Sequence, residues 1–319
     1  MDEVEQADRA SDDLLLILGS AIYKSNLITA LTTLRSRESS GPVLPIFVWH
    51  LENQLDDSVA LPVRAVLLAR DWLRRRVGRP VATRAGTYLL LRELATRRLV
   101  DKILVFTRHK ADFLRRSGLP GIEYVPLGHH PVWGVAEGGA SRERDVDVLF
   151  LGMLNGRRRV IVENIRDALA VRGIALKTNY DYDPTGSAWG EARNALIARA
   201  KIYLCVYRYP LDYSGMRFSL GMGNGALIVS EPVADPHPFK AGVHFVEAGL
   251  PSLSDIIFNY LQDEAARLRI VSAASACLTQ EYSMTRSARQ IIEITSAVDK
   301  ANASPAADTK PRQRCTLSS

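Results

Sequence analysis

Residues 212–231, "DYSGMRFSLGMGNGALIVSE", carry Gly215, Gly221, Gly223 and Gly225 ahead of the apolar run Ala226 to Ser230. Glycines beside a β-rich run point to a phosphate, and their order decides which fold would hold it. A dinucleotide fingerprint places its glycines after a strand and before a helix, so that the pyrophosphate meets the helix N-terminus. Here the glycines end a helix and lead into β structure, with Gly225 as C-cap. That order argues against a Rossmann NAD site, and Gly221 and Gly223 read equally as close helix packing or as ligand glycines. The informative loop is the preceding one, "YRYPLDYSG" (207–215), which follows the strand-like "KIYLCVY" and leads into a helix starting near Met216. In an open parallel sheet, ligands bind at the carboxyl ends of strands, where helix N-termini present unpaired N–H groups to anions.

Moving outward, strand and helix signals alternate along most of the chain. Strands are expected at 13–21, 45–51, 102–107 and 122–128, with helices at 25–37, 61–77, 87–99 and 109–118. Residues 129–146, "HHPVWGVAEGGASRERDV", replace apolar periodicity with glycine, alanine and charge and read as a linker. The alternation restarts with strands at 145–152, 174–180, 201–207 and 242–248, and helices at 157–173, 190–200, 252–263 and 264–296. The expected architecture is α/β, with an N-terminal Rossmann-like domain over 1–128, a linker over 129–146, a second domain over 147–299 and a disordered tail over 300–319.

The 319 residues suit two domains facing a cleft. No apolar run reaches the roughly 18 residues of a membrane span. The acidic start "MDEVEQADRASDD" lacks the order of a secretion signal, which gives a cytoplasmic expectation. Three cysteines, Cys205, Cys277 and Cys315, show neither disulfide nor metal spacing, so no metal is expected. A formal charge of +6 favours anionic partners. Part of it is concentrated in "RDWLRRRVGRP" (70–80), a solvated helix face or, as the alternative, a nucleic-acid patch.

The second half resembles the nucleotide-binding domain of GT-B glycosyltransferases, in particular the family-4-like group and the CgeB-like spore-maturation proteins. The resemblance runs over roughly 122–263. Asp212 falls on the family's first acidic position, Gly215 on the loop glycine, and Gly225 with "ALIVSE" on the helix end and strand. "YVPLGHHP" resembles the segment leaving the first domain, "RDVDVLFLGMLNGRRR" the first strand and phosphate-side loop of the second, and "HPFKAGVHFVEA" the approach to its last strand. The chain departs at the second glutamate position, which in the family holds the ribose hydroxyls and here is Leu220, unable to accept a hydrogen bond. Either Ser219, one position earlier, or a shifted helix replaces that contact, or the site has changed donor or lost activity.

The resemblance implies a glycosyltransferase with a nucleotide-sugar donor as co-substrate, no further cofactor, and metal-independent chemistry. Charge developing on a diphosphate leaving group would then be met by cations and helix N-termini. The donor-side expectation comprises Gly152, Asn155, Arg157, Arg158, Ser214, Gly215, Arg217 and Ser219. At most two of the arginines 157–159 can face one ligand. The first domain is expected to supply the acceptor side, from Gly19, Ser20 and Lys24 after the first strand and from His130 near the linker. Glu52 is the expected general base, with His50 as its alternative and Asp212 as a further catalytic candidate. Two other function classes stay open: a binding or scaffold protein that keeps the shape without catalysis, which Leu220 favours, and a nucleic-acid-binding or -modifying protein.

Overall fold

The computed structural model describes residues 14–19, 27–37, 44–51, 54–77, 83–134, 143–183, 185 and 189–303. Four strands, β1 (Leu15–Leu18), β2 (Ile46–His50), β3 (Lys102–Val105) and β4 (Ile122–Tyr124), pair in that order as a parallel sheet. The connections are α1 (Leu27–Arg37), then α2 (Leu61–Arg76) with α3 (Arg84–Thr96), then α4 (Arg108–Arg116).

Side chains alternate across a strand, so β2 builds two cores at once. Ile46 and Val48 pack with Leu91, Leu94 and Leu114 on one face, while Phe47 and Trp49 meet Val125, Ile291 and Val298 on the other. A strand buried on both faces needs a continuous apolar run, which "IFVW" supplies.

The second sheet has the order β6-β5-β7-β8-β9, all parallel, from β5 (Val146–Phe150), β6 (Leu176–Thr178), β7 (Ala200–Cys205), β8 (Leu227–Ser230) and β9 (Val246–Glu247). Helices α5 (Gly156–Ala170), α6 (Gly190–Ala198), α7 (Gly215–Gly223), α8 (Leu253–Gln262) and α9 (Glu264–Gln280) accompany it. Because the chain winds outward from β5 in both directions, the carboxyl ends of β5 and β7 flank a topological switch point.

Helix α7 lies close to this sheet because Gly221 has no side chain: a Cβ there would run into the Ile228 Cδ1 atom and come within 2.8 Å of Tyr203. Gly225 ends the helix with φ +70°. The glycines of 221–225 are therefore packing and capping residues.

Helix α10 (Met284–Ala303) returns to the first sheet, and its Ile291 and Val298 complete the Phe47/Trp49 core. Three sequence expectations are corrected here. The helical stretch 264–296 is two helices, broken where Tyr282 is buried and its N–H donates to the Cys277 carbonyl. Helix α10 also runs three residues past Lys300, into the span expected to be tail, and residues 304–319 lie outside the described residues. The strand expected at 242–248 shortens to two residues, since Gly242 to His244 form a turn closed by Lys240.

The two passages between the sheets lie against each other. The His129 N–H donates to the Tyr282 carbonyl at 2.6 Å, and the Met284 N–H donates to the His129 carbonyl at 2.8 Å. Side-chain contacts close the gap on the far side. Lys110 Nζ of α4 meets Asp212 Oδ1 at 2.9 Å with both groups buried, Arg108 forks onto Asp235 at 2.6 and 2.7 Å, and the Arg84 guanidinium stacks over Tyr209.

Candidate active site

The site is built where β5 and β7 end. After β5 the chain turns through Gly152, whose φ of +145° suits glycine, and its N–H donates to the Asn179 side chain at 3.0 Å. Helix α5 then starts at Gly156 with Asn155 as N-cap residue, and α7 starts at Gly215 with Ser214 in that position; neither side chain caps its helix. Two helix N-termini thus present free N–H groups at one switch point. Asn155 is exposed and donates to the Met153 sulfur.

Two guanidinium groups converge on the same loop. A Cβ on Gly152 would lie 2.5 Å from Arg217 Nη2 and 3.2 Å from Arg158 Nη1, so a side chain at 152 would occupy the space the arginines use. Arg217 stacks on Phe150 at 5.5 Å, and its Nη1 and the Arg158 Nε are buried without a hydrogen-bond partner among the described residues. Burial, followed by the charges of Arg217 and Arg208, lowers the Arg158 pKa. Two like charges with unused donors at paired helix N-termini are matched by a dianion.

Arg157, placed with Arg158 in the donor-side expectation, is engaged elsewhere. It binds both carboxylate oxygens of Glu231 and donates to the Tyr207 carbonyl at 2.9 Å. Glu231, buried at the end of β8, also accepts the Tyr207 N–H at 2.7 Å and so ties β7, β8 and α5 together. Of the triplet, Arg158 is the member beside Arg217.

Asp212 is buried and paired with Lys110. Gly215 packs on Tyr282, where a Cβ would overlap the tyrosine hydroxyl. Ser219 is fully buried and its hydroxyl has no hydrogen-bond partner among the described residues. Leu220 is a core residue beside Phe218, Met222 and Ile228, so the position of the family's second glutamate is filled by packing.

On the opposite side, Gly19 closes β1 against Leu51, and His50 is fully buried at the end of β2. Ser20, Lys24 and Glu52 lie outside the described residues. His130 is exposed and its Nδ1 accepts the Val132 N–H at 3.2 Å, which caps the short helical turn 131–133. Lys110, Glu231 and Asn179 are absent from the sequence-derived set. A carboxylate ending an apolar strand marks Glu231, whereas Lys110 and Asn179 carry no local signal.

Residues 157–293 match the family model described as Glycosyl transferase-like. Among solved structures, the chain is similar to S. aureus TarM, with a TM-score of 0.60 at 9% identity over 90% of this chain and 55% of TarM. It is also similar to Anabaena HepE, solved with UDP and glucose, with a TM-score of 0.56 at 12% identity over 90% of this chain and 99% of HepE. WaaG, a glycosyltransferase of lipopolysaccharide biosynthesis, gives 0.53 at 14% identity over 81% and 80%. The fold is GT-B. The chain spans about half the length of TarM. Comparison with curated proteins gives no match.

Proposed function

We propose that the protein is a glycosyltransferase that moves a sugar from a nucleoside-diphosphate donor to an acceptor held by the first domain. The observation that carries this reading is the pairing of Arg158 and Arg217 over two uncapped helix N-termini at the switch point. As the glycosidic bond breaks, negative charge grows on the departing diphosphate, and fixed donors already aimed at it lower the barrier without reorganising. Arginine charge and helix N–H groups supply that stabilisation in this reading, with no metal and no cofactor besides the donor. The Glycosyl transferase-like match supports it, and the UDP found with HepE makes UDP the first donor nucleotide to test.

Glu52 remains the proposed general base, while His50, fully buried at the end of β2, is dropped as its alternative and Asp212 fixes the closed cleft through Lys110. Within glycosyltransferases, the CgeB-like resemblance is kept as the finer assignment. A cytoplasmic location belongs to the same reading, and the buried free thiols of Cys205 and Cys277 are compatible with it. No helix among the described residues is long and apolar enough to cross a membrane.

Titration calorimetry with UDP and a panel of nucleoside diphosphates tests the proposal, followed by donor hydrolysis and transfer assays. Binding with turnover is expected. Binding without turnover would favour the scaffold reading, which Leu220 also favours. Absence of binding to every nucleotide would remove the proposal.

A further inference from the structure

Helix α2 buries charge beside its half-buried Leu67 and Leu68 and leaves a second apolar stripe facing outward. Its inward face carries Asp71, which is fully buried and hydrogen-bonded by Thr83 and Arg70, Arg75, which pairs with Glu93 of α3, and Arg64, which stacks on Phe113. Its outward face carries an apolar stripe interrupted by Arg70, whose side chain bends back to Asp71. Val66, Leu73 and Val77 follow one another at helical spacing, 68%, 59% and 64% exposed, with Trp72 on the flank at 48%. A surface helix ordinarily buries the apolar stripe and exposes the charges, so this arrangement leaves apolar area in water that a partner would cover.

The charges beside the stripe select the partner. Arg74 and Arg76 are exposed on either side of Val66 and Leu73, with the Arg76 guanidinium 4.2 Å over the Trp72 ring. Asp71 is the one carboxylate of the helix, and it is buried. A second copy of this face would bring arginines against arginines across a two-fold axis, and a nucleic acid would gain nothing from the valines and leucines. An anionic lipid surface answers both features, since apolar side chains enter the acyl boundary while flanking arginines reach the headgroups.

We propose that α2 lies flat on an anionic membrane surface and docks the protein there. The helix is about 24 Å long, which suits lying in the interface. Its N-terminal end adjoins the cleft: Asp56, five residues before Leu61, pairs with Arg84, which stacks on Tyr209 of the second domain. Docking through α2 would therefore hold the cleft near the lipid headgroups. The inference is independent of which reaction the cleft performs.

Flotation of the full chain with phosphatidylcholine vesicles, with and without about a third phosphatidylglycerol, tests it. Binding is expected to the anionic vesicles, falling about tenfold or more in Val66→Glu/Leu73→Glu and about fivefold per arginine in Arg74→Gln/Arg76→Gln. Every substituted side chain is exposed, so circular dichroism and melting should match the wild type. No flotation with anionic vesicles, or equal flotation of wild type and the glutamate variant, overturns the proposal. So does a dimer dispersed by the glutamate substitutions without vesicle binding, or salt-sensitive retention on duplex DNA without vesicle binding.

Discussion

If Arg217 binds the diphosphate as proposed, a single residue weakens the empty protein while serving its ligand. Its guanidinium is held beside Arg158 with a buried donor unused, an arrangement that costs stability until an anion arrives. Arg217→Ala should therefore leave thermal stability unchanged or raised, while UDP affinity falls by about 1.5 to 3 kcal/mol in calorimetry. A lowered melting temperature with unchanged affinity would make the residue structural. Glu231 is the reverse case, because it fixes Arg157 and the Tyr207 backbone where three elements meet. Glu231→Gln weakens the charge pairing with Arg157, so urea unfolding should show a loss of about 2 kcal/mol whether or not nucleotide is present. The place of Gly215 and Arg217 in the first turn of α7 could be read from sequence because strand-loop-helix order is local. Which arginine of the triplet turns inward could not, since it depends on Glu231, 74 residues away from Arg157.

At the scale of elements, the strands and helices were legible wherever burial imposes a period. The β2 run "IFVW" and the glycine-ended α4 are examples, with Gly118 at φ +76°. Helix α2 was legible as a helix, but the outward turn of its Val66, Leu73 and Val77 stripe was not, because periodicity reports the existence of an apolar stripe and not the side on which the core lies. The break before α10 was hidden for a similar reason: Tyr282 is drawn into the second core by Phe239 and the distant Tyr213, not by its neighbours in sequence. Ahead of α3, Asp56 is a buried anchor. Burial opposes its ionisation, but hydrogen bonds from Ser58 and the charges of Arg84 and Lys110 outweigh that and hold its pKa below the usual value. The stabilisation is complete above the ordinary carboxylate pKa of about 4 and is lost as pH falls through the lower folded value. Melting temperatures should therefore drop as pH is lowered below about 4, and Asp56→Asn should be less stable at neutral pH yet show a shallower acid drop. An unchanged acid profile in the variant would show that other carboxylates dominate.

For the whole molecule, the relation between the two sheets depends on the place where the chain crosses twice. Gly128 and His129 leave the first sheet, Tyr282 to Met284 return to it, and the two passages touch backbone to backbone. Gly128 makes the approach feasible, since a Cβ there would fall on the Ser283 carbonyl and within 2.7 Å of the Met284 nitrogen. Neither group is the movable end of a side chain, so Gly128→Ala must push the passages apart and strain the hydrogen bonds between His129, Tyr282 and Met284. The expected cost is about 1 to 3 kcal/mol, together with a change in the angle between the domains that small-angle scattering would detect. Gly118→Ala provides the control. That residue has a left-handed backbone but nothing within 4 Å of the added carbon, so its cost of about 1 kcal/mol should come with no change in scattering. The pairs Lys110–Asp212 and Arg108–Asp235 span the same gap from the other side, and a shifted crossing would pull them out of register. UDP affinity in Gly128→Ala should stay near wild type, because Arg158, Arg217 and both helix N-termini accompany the second sheet alone, whereas the proposed transfer should slow, because in that reading donor and acceptor sit on opposite sides of the cleft. If Gly128→Ala matches Gly118→Ala in stability and scattering, the double crossing does not set the domain arrangement, and that role falls to the ion pairs across the cleft.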